Sequence, residues 1–115
     1  MERAKIRPED VTYTLTIEDE DIPVRGNAMA SGDDEADEAY ENEIIARLDS
    51  GDLWAWCFVK VTAEWRGFKG WDGLGGCSYA DEADFKRGGY YEDMKARAFD
   101  DLVATVEDVR KRVCA

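Results

Sequence analysis

Apolar residues alternate with threonines over residues 11–17 (VTYTLTI), where every second side chain is Val, Tyr, Leu or Ile. A repeat of two places the apolar side chains on one face of an extended chain. The pattern therefore predicts a half-buried strand of an antiparallel sheet. The acidic run EDED and then Pro23 end this strand, and residues 22–25 could add a short further strand beside it.

The longest alternation covers residues 53–65 (LWAWCFVKVTAEW) and predicts the strand with the most buried face. One face is apolar throughout and is expected to form the core: Leu53, Ala55, Cys57, Val59, Val61, Ala63 and Trp65. The opposite face begins with Trp54, Trp56 and Phe58 before it becomes polar. A glycine-rich stretch follows, and it predicts a second strand or an irregular hairpin through residues 71–79.

Two segments repeat with the period of a helix. In the first, Ser31 or Asp33 can cap the start and Ser50-Gly51 closes the end. Its apolar stripe consists of Tyr40, Ile44, Ile45 and Leu48. The second helix starts near Tyr90, and its stripe consists of Met94, Ala98, Leu102, Val106, Val109 and Val113. Residues 80–89 are expected to form a loop or a short helical turn.

The element order is therefore β-α-β-β-α, which predicts a single α+β domain over residues 1–115. We expect an antiparallel sheet of three strands, or four if residues 22–25 pair, with two helices on one face. If both helices cover the Cys57 face, Trp54, Trp56 and Phe58 lie together on the open face. Either the N-terminal segment or the glycine-rich loop covers these rings, or they form an interface with a second copy or another partner.

The composition excludes several kinds of chemistry. The chain has no His, and its three cysteines (Cys57, Cys77 and Cys114) are widely spaced without a CxxC pair. A zinc site, a disulfide framework and a nucleophile with a conventional base are therefore not expected. The stretch GWDGLGGCSY matches no phosphate-binding loop, and the acidic runs lack the calcium-loop spacing. We expect a protein that is not an enzyme and has no cofactor or dedicated metal site.

Charge is distributed unevenly along the chain, whose net charge is −12. Residues 1–50 contain fifteen acids and five bases, whereas residues 51–115 contain twelve acids and ten bases. Such a field disfavours nucleic acid and anionic membranes and favours a basic protein partner. The predicted partner-binding residues are those of the first helix, Asp33, Asp34, Glu35, Asp37, Glu38 and Glu41, and a secondary patch, Glu18, Asp19, Glu20 and Asp21.

Three segments of the sequence carry a resemblance: IPVRGNAMASGDDEADEAYENEIIARLDSGDLWAW, WRGFKGWDGLGGCSYADEADF and GGYYEDMKARAFDDL. Together they resemble a family of small, acidic, uncharacterised proteins carried by phages and prophages, which share GNAMASGDD, DLWAW and LGGCSY. The resemblance covers most of the chain and implies an accessory gene, among which inhibitors of host defence are common. In size, acidity and lack of catalytic residues, the chain is similar to anti-CRISPR and anti-restriction proteins.

The sequence therefore predicts a non-enzymatic, phage-encoded inhibitor of a host nucleic-acid-targeting defence complex, such as a CRISPR effector. It would act as a DNA mimic whose acidic surface occludes a basic nucleic-acid-binding channel. The alternative is a phage accessory or assembly protein that self-associates, as a homodimer, through the aromatic sheet face. Since the sequence shows no apolar span and no signal-peptide core, the expected location is the host bacterial cytoplasm.

Overall fold

The computed structural model describes residues 5–114 and has an α+β fold. Its elements are β1 (Thr12–Asp19), α1 (Asp34–Asp49), β2 (Cys57–Trp65), β3 (Phe68–Cys77), α2 (Glu82–Arg87) and α3 (Tyr90–Cys114). Short 3₁₀ turns occupy Pro8–Asp10 and Leu53–Ala55. The three strands form one antiparallel sheet in the order β1-β2-β3. The prediction of an α+β fold around a three-stranded antiparallel sheet is therefore confirmed.

The central strand β2 supplies the main core. Its alternate side chains are buried on one face: Cys57, Val59, Val61, Ala63 and Trp65. The apolar stripe of α3 packs over this face through Met94, Ala98, Leu102 and Val106. Strands β2 and β3 are joined by the two-residue turn Arg66-Gly67, with φ of 50° and 84°. Positive φ at both positions is typical of hairpin turns whose twist matches that of the strands.

Helix α1 has its own smaller core at one end of the sheet. Its buried Ile44 packs with Val24, Ala55 and Trp56, and the stripe residues Tyr40, Ile45 and Leu48 flank this cluster. This end of the sheet contains the last residues of β1 and β3 and the first residues of β2. The packing of α1 differs from the predicted one, because its main contacts are with the Leu53–Ala55 turn, whereas α3 covers the sheet face.

Two further expectations concern connecting segments. Residues 22–25 form bends and the start of a turn, so the structure has no fourth strand within residues 5–114. Residues 80–89 contain the six-residue helix α2, which agrees with the predicted short helical turn. Its Phe85 is fully buried against the main core.

The three rings predicted to share an open face do not do so. The strand begins at Cys57, because residues 53–55 form a 3₁₀ turn that interrupts the alternation. Trp54 packs against Phe85, with 5.8 Å between ring centroids. Trp56 is 7% exposed, and its Nε1 donates to the carbonyl of Ile22 at 2.7 Å. Only Phe58 lies on the outer face of β2, half-buried over Gly73.

The molecule is elongated, with dimensions of 65 × 26 × 22 Å. Its radius of gyration is 18.4 Å, against about 13 Å for a compact domain of this length. The shape arises because the α1 cluster extends the sheet at one end and α3 runs along it toward the other. No helix within residues 5–114 is both long and apolar enough to cross a bilayer.

Candidate functional site

The acidic segment over residues 18–50 contains twelve carboxylates and only two bases, Arg25 and Arg47. The structure divides these carboxylates into two groups. One group accepts hydrogen bonds from the chain itself, and the other points into solvent. The division matters because the first group already uses carboxylate oxygens in bonds within the chain, whereas the second group has its oxygens available to donors of a partner.

Four carboxylates accept hydrogen bonds from backbone N–H groups, and each of these bonds holds a connecting segment in place. Asp33 caps α1 by accepting from the N–H of Ala36 at 3.2 Å. Asp37 accepts from the hydroxyl of Ser31 at 2.6 Å and also from its N–H. Glu20 accepts from the N–H of Gly76 at 2.6 Å, which ties the end of β1 to β3. These three side chains lie at exposed or half-exposed positions.

Glu41 is the fourth, and it is 7% exposed. Its Oε2 accepts from the N–H of Gly26 at 2.8 Å, and its Oε1 accepts from Arg25 Nη1 at 3.3 Å. Arg25 also donates to Asn42 Oδ1 at 2.6 Å. Glu41 therefore holds the loop before α1 against the helix and keeps Val24 in the small core. Glu41 is thus a buried, internally bonded carboxylate, although the sequence pattern places it among the predicted partner-binding residues.

The other eight carboxylates form the acidic surface: Glu18, Asp19, Asp21, Asp34, Glu35, Glu38, Glu43 and Asp49. All eight are exposed, and none has a hydrogen bond or ion pair to another side chain among residues 5–114. Six of the ten predicted partner-binding residues belong to this surface, while Asp33, Asp37, Glu41 and Glu20 do not. The role of the six in binding a partner stays a prediction.

The predicted partner-binding residues do not include Glu43 and Asp49, although both belong to the acidic surface. Asp49 lies three helical turns beyond Glu38 and therefore on the same side of α1. Glu43 directly precedes the buried Ile44 but is itself exposed. The helical period of the apolar residues contains the signal for both, because the side of the helix opposite the apolar stripe faces solvent along its whole length.

Neither base of the segment is placed to neutralise the acidic surface. Arg25 is bound by Glu41 and Asn42. Arg47 Nε donates to Asp52 Oδ2 at 2.8 Å, and its Nη2 donates to the carbonyl of Tyr79 at 2.7 Å. The bases thus stabilise the fold at this end of the molecule, and the surface keeps its negative charge.

The acidic surface lies at one end of the elongated molecule. The hydrogen bond from Trp56 to Ile22 brings the segment after β1 beside the α1 cluster. Carboxylates along α1 extend from Asp34 to Asp49, which is about 22 Å at the rise of an α-helix. A row of carboxylates on a rigid helix can accept hydrogen bonds from several Arg or Lys side chains at once.

Two of the cysteines are described, and both lie inside the fold. Cys57 and Cys77 lie directly opposite each other on β2 and β3, and both are buried. Burial raises the pKa of the Cys57 thiol to about 12 and that of the Cys77 thiol to about 11. Both thiols are therefore protonated at neutral pH and weakly nucleophilic. Cys77 is thus buried although it lies in the glycine-rich stretch, and the side chain of Cys114 lies outside the described residues.

Two clefts lie near the acidic surface. One, of about 580 Å³, separates Met29 and Arg25 from Asp34 and Glu38 of α1. The other, of about 350 Å³, lies between α1, the end of β3 and the start of α3, and its walls include Tyr40, Trp56, Tyr79 and Tyr90. Over residues 5–114, no three Asp, Glu, Cys or His side chains come together as metal ligands.

Comparison of the chain with protein-family models, with curated proteins and with solved structures finds no match.

Proposed function

We propose that this protein is a non-enzymatic inhibitor that binds the basic nucleic-acid-binding surface of a host defence complex, such as a CRISPR effector. The acidic surface occupies the positions that phosphates would take, and it blocks access of the nucleic acid. The resemblance to phage proteins supports the cytoplasm of a host bacterium as the location of this activity. The binding residues are Glu18, Asp19, Asp21, Asp34, Glu35, Glu38, Glu43 and Asp49.

The observation that supports this proposal is the lack of compensation at one end of the molecule. Eight exposed carboxylates there have no ion pair with any base among residues 5–114, while Arg25 and Arg47 are used in internal contacts. The helix dipole favours the first-turn acids Asp34 and Glu35, but it disfavours Asp49 in the last turn, and like charges one turn apart repel, so helix stability alone does not account for this arrangement. A basic partner relieves the repulsion, and its Lys and Arg side chains gain hydrogen-bond acceptors that are already ordered.

The mode of action follows from the sign of the field. The same carboxylates repel nucleic acid, so the protein acts on the nucleic-acid-binding protein and not on the nucleic acid. We expect no binding of DNA or RNA by the purified protein at physiological salt. Direct tight binding to a duplex would contradict the proposal.

The test measures binding of target DNA by purified CRISPR effector complexes while the protein is titrated in. We expect inhibition by the unmodified protein, and weaker inhibition by the double variant Glu35→Gln, Glu38→Gln. The expected loss is about tenfold in the inhibitory concentration, from two exposed charge pairs of up to about 1 kcal/mol each. Inhibition should also weaken as salt rises, because the Debye length shrinks from about 10 Å at 0.1 M to about 3 Å at 1 M.

The matched control is the double variant Asp93→Asn, Asp100→Asn, which makes the same change in net charge. Both residues are exposed on α3 and belong neither to α1 nor to the segment after β1. The control should inhibit like the unmodified protein. An equal loss in both double variants would mean that only the net charge matters. Absence of inhibition for every effector tested would reject this class of target.

The alternative of self-association through an aromatic sheet face receives no support. Trp54 and Trp56 contact Phe85, Ile22 and the α1 cluster, so they are not available as a shared patch with Phe58.

A further inference from the structure

Each of the two outer strands has one edge without a neighbouring strand, but only one of these edges is protected. On β3, Asp101 Oδ2 of α3 accepts from the N–H of Trp71 at 2.9 Å. The pairing of β3 is also irregular near its end, where the register shifts between Cys57 and Val59. Charged side chains and bulges at an edge prevent it from pairing with another strand.

The edge of β1 has no bulge, and its only charged side chains, Glu18 and Asp19, lie at its C-terminal end. Its residues Thr12–Asp19 pair with β2 in one continuous register and include no Pro and no Gly. Every second residue of an antiparallel edge strand directs its N–H and C=O away from the sheet. No side chain or backbone group among residues 5–114 bonds to these outward groups. β1 is therefore an open template for another strand.

The apolar side of β1 is also incompletely covered. Tyr13, Leu15 and Ile17 lie on the core face but are only half-buried, because α3 packs mainly over β2 and β3. A cleft of about 390 Å³ lies between β1 and α3, with Tyr13 and Phe99 among its walls. An added strand would thus gain backbone hydrogen bonds and also apolar contacts on the same face.

We propose that a second copy of this chain occupies this edge, so that two β1 strands pair antiparallel about a two-fold axis. The result is a continuous six-stranded sheet with both α3 helices on the same face. Pairing Leu15 with Leu15 of the second copy places Tyr13 opposite Ile17 and Thr14 opposite Thr16. Residues directly opposite each other in an antiparallel pair share a face, so this register matches apolar with apolar and threonine with threonine.

A second copy of the chain can supply a strand that matches the edge of β1. A partner strand needs apolar side chains at alternate positions over the same length, and β1 has them. In the proposed register Thr12 lies opposite Glu18, and no like charges face each other. A shift by two residues would place Tyr13 opposite Asp19. The acidic surface adjoins the C-terminal end of β1, so antiparallel pairing directs the two acidic surfaces to opposite ends of the dimer.

The experiment measures molar mass by sedimentation equilibrium over about 1 μM to 1 mM, since a strand-edge interface alone gives modest affinity. The unmodified protein should approach the mass of two chains. The variant Thr14→Lys, Thr16→Lys places like charges opposite each other across the two-fold axis and should raise the dimer dissociation constant about tenfold or more. Because it also lowers the magnitude of the net charge, long-range repulsion cannot cause that loss.

The control is Thr12→Lys with Asp93→Asn, which changes the net charge equally but places the introduced ammonium group opposite Glu18 of the second copy. It should retain the dimer. A second measurement uses Thr14→Cys, Thr16→Cys in a Cys114→Ser background with oxidised glutathione, where a covalent dimer should form. In the same background, the variant Thr12→Cys, Thr16→Cys should form much less of the covalent dimer.

The proposal is overturned if the unmodified protein stays monomeric over the whole concentration range. It is also overturned if the Thr14→Lys, Thr16→Lys variant keeps the dimer, or if the two cysteine pairs cross-link equally. None of these outcomes depends on a host target, so the dimer and the proposed function stand or fall separately.

Discussion

At the residue scale, identical side chains have different roles because their positions on one helix differ. Glu38 and Glu41 lie one turn apart on α1. Glu38 is exposed, whereas Glu41 is buried and accepts from the N–H of Gly26 at 2.8 Å and from Arg25. Both are part of one acidic run in the sequence. Their roles separate only where the loop before α1 folds back onto one side of the helix.

Replacing Glu41 by Ala should lower the free energy of unfolding by about 1–3 kcal/mol, because the N–H of Gly26 loses its acceptor in a partly buried site. Glu38→Ala, one turn earlier, removes the same charge from an exposed position and should change stability by less than about 0.5 kcal/mol. Urea unfolding of both variants makes the comparison. Equal losses would show that charge, and not the buried hydrogen bond, governs stability here.

At the element scale, the glycines of β3 determine how closely α3 can approach the sheet. Gly70 lies opposite Ala63 and directly beneath α3. A Cβ at this position would overlap the backbone of Leu102 and Ala98. A helix backbone cannot move aside as a side chain can, so the whole packing of α3 depends on a missing side chain. The glycine-rich sequence does not by itself identify which element packs against this stretch.

Gly70→Ala should therefore destabilise the protein by about 3 kcal/mol, near the upper range for overpacking a core. Gly88→Ala is the control, because its φ is −80° and an added Cβ would meet nothing closer than 3.4 Å. The control should be close to neutral in thermal unfolding. A tolerated Gly70→Ala would mean that α3 does not pack against β3 as described.

The 3₁₀ turn at Leu53–Ala55 has a similar effect on the strand that follows. Alternation of residues 53–65 is regular in the sequence, yet the strand starts only at Cys57. Gly51, with φ of 91°, ends α1, and the chain then turns before it enters the sheet. Trp54 and Trp56 are therefore directed into separate intramolecular contacts. A repeat of two describes side-chain direction only where the backbone is extended.

At the scale of the whole molecule, charge is separated along the long axis. The acidic surface lies at one end. Toward the other end, near the β2–β3 turn and the end of α3, acids are paired with bases. Examples are Glu107 with Arg110 at 3.1 Å and Asp108 with Arg112 at 3.2 Å. The molecule therefore presents one unbalanced end to a basic partner.

This imbalance should make stability depend on salt. Raising NaCl from about 0.05 M to about 0.5 M screens the repulsion among the eight carboxylates of the acidic surface and should increase the unfolding midpoint in heat or urea. The increase should be smaller for Glu35→Gln, Glu38→Gln than for Asp93→Asn, Asp100→Asn. A midpoint that falls as NaCl rises would indicate that ion pairs, and not unpaired acids, dominate the electrostatics.

The sequence by itself determined the local features. Strict alternation identified β1 and the buried row of β2, and the helical stripes identified α1 and α3, because both patterns depend on backbone periods and not on distant contacts. Composition identified the excess of acid before residue 50. The same patterns fixed the α+β fold and its antiparallel sheet.

The tertiary structure alone decided which of these features remain available to a partner. Glu20 bonds to Gly76 across 56 positions of the chain, and Glu41 bonds to Gly26 across 15, so neither contact follows from a local pattern. The same is true of α3, which covers β2 and β3 and leaves the apolar side of β1 half-exposed. Exposure is a property of neighbours in space, and periodicity describes neighbours in sequence. For that reason the acidic surface and the open edge of β1 became defined only when the chain was folded.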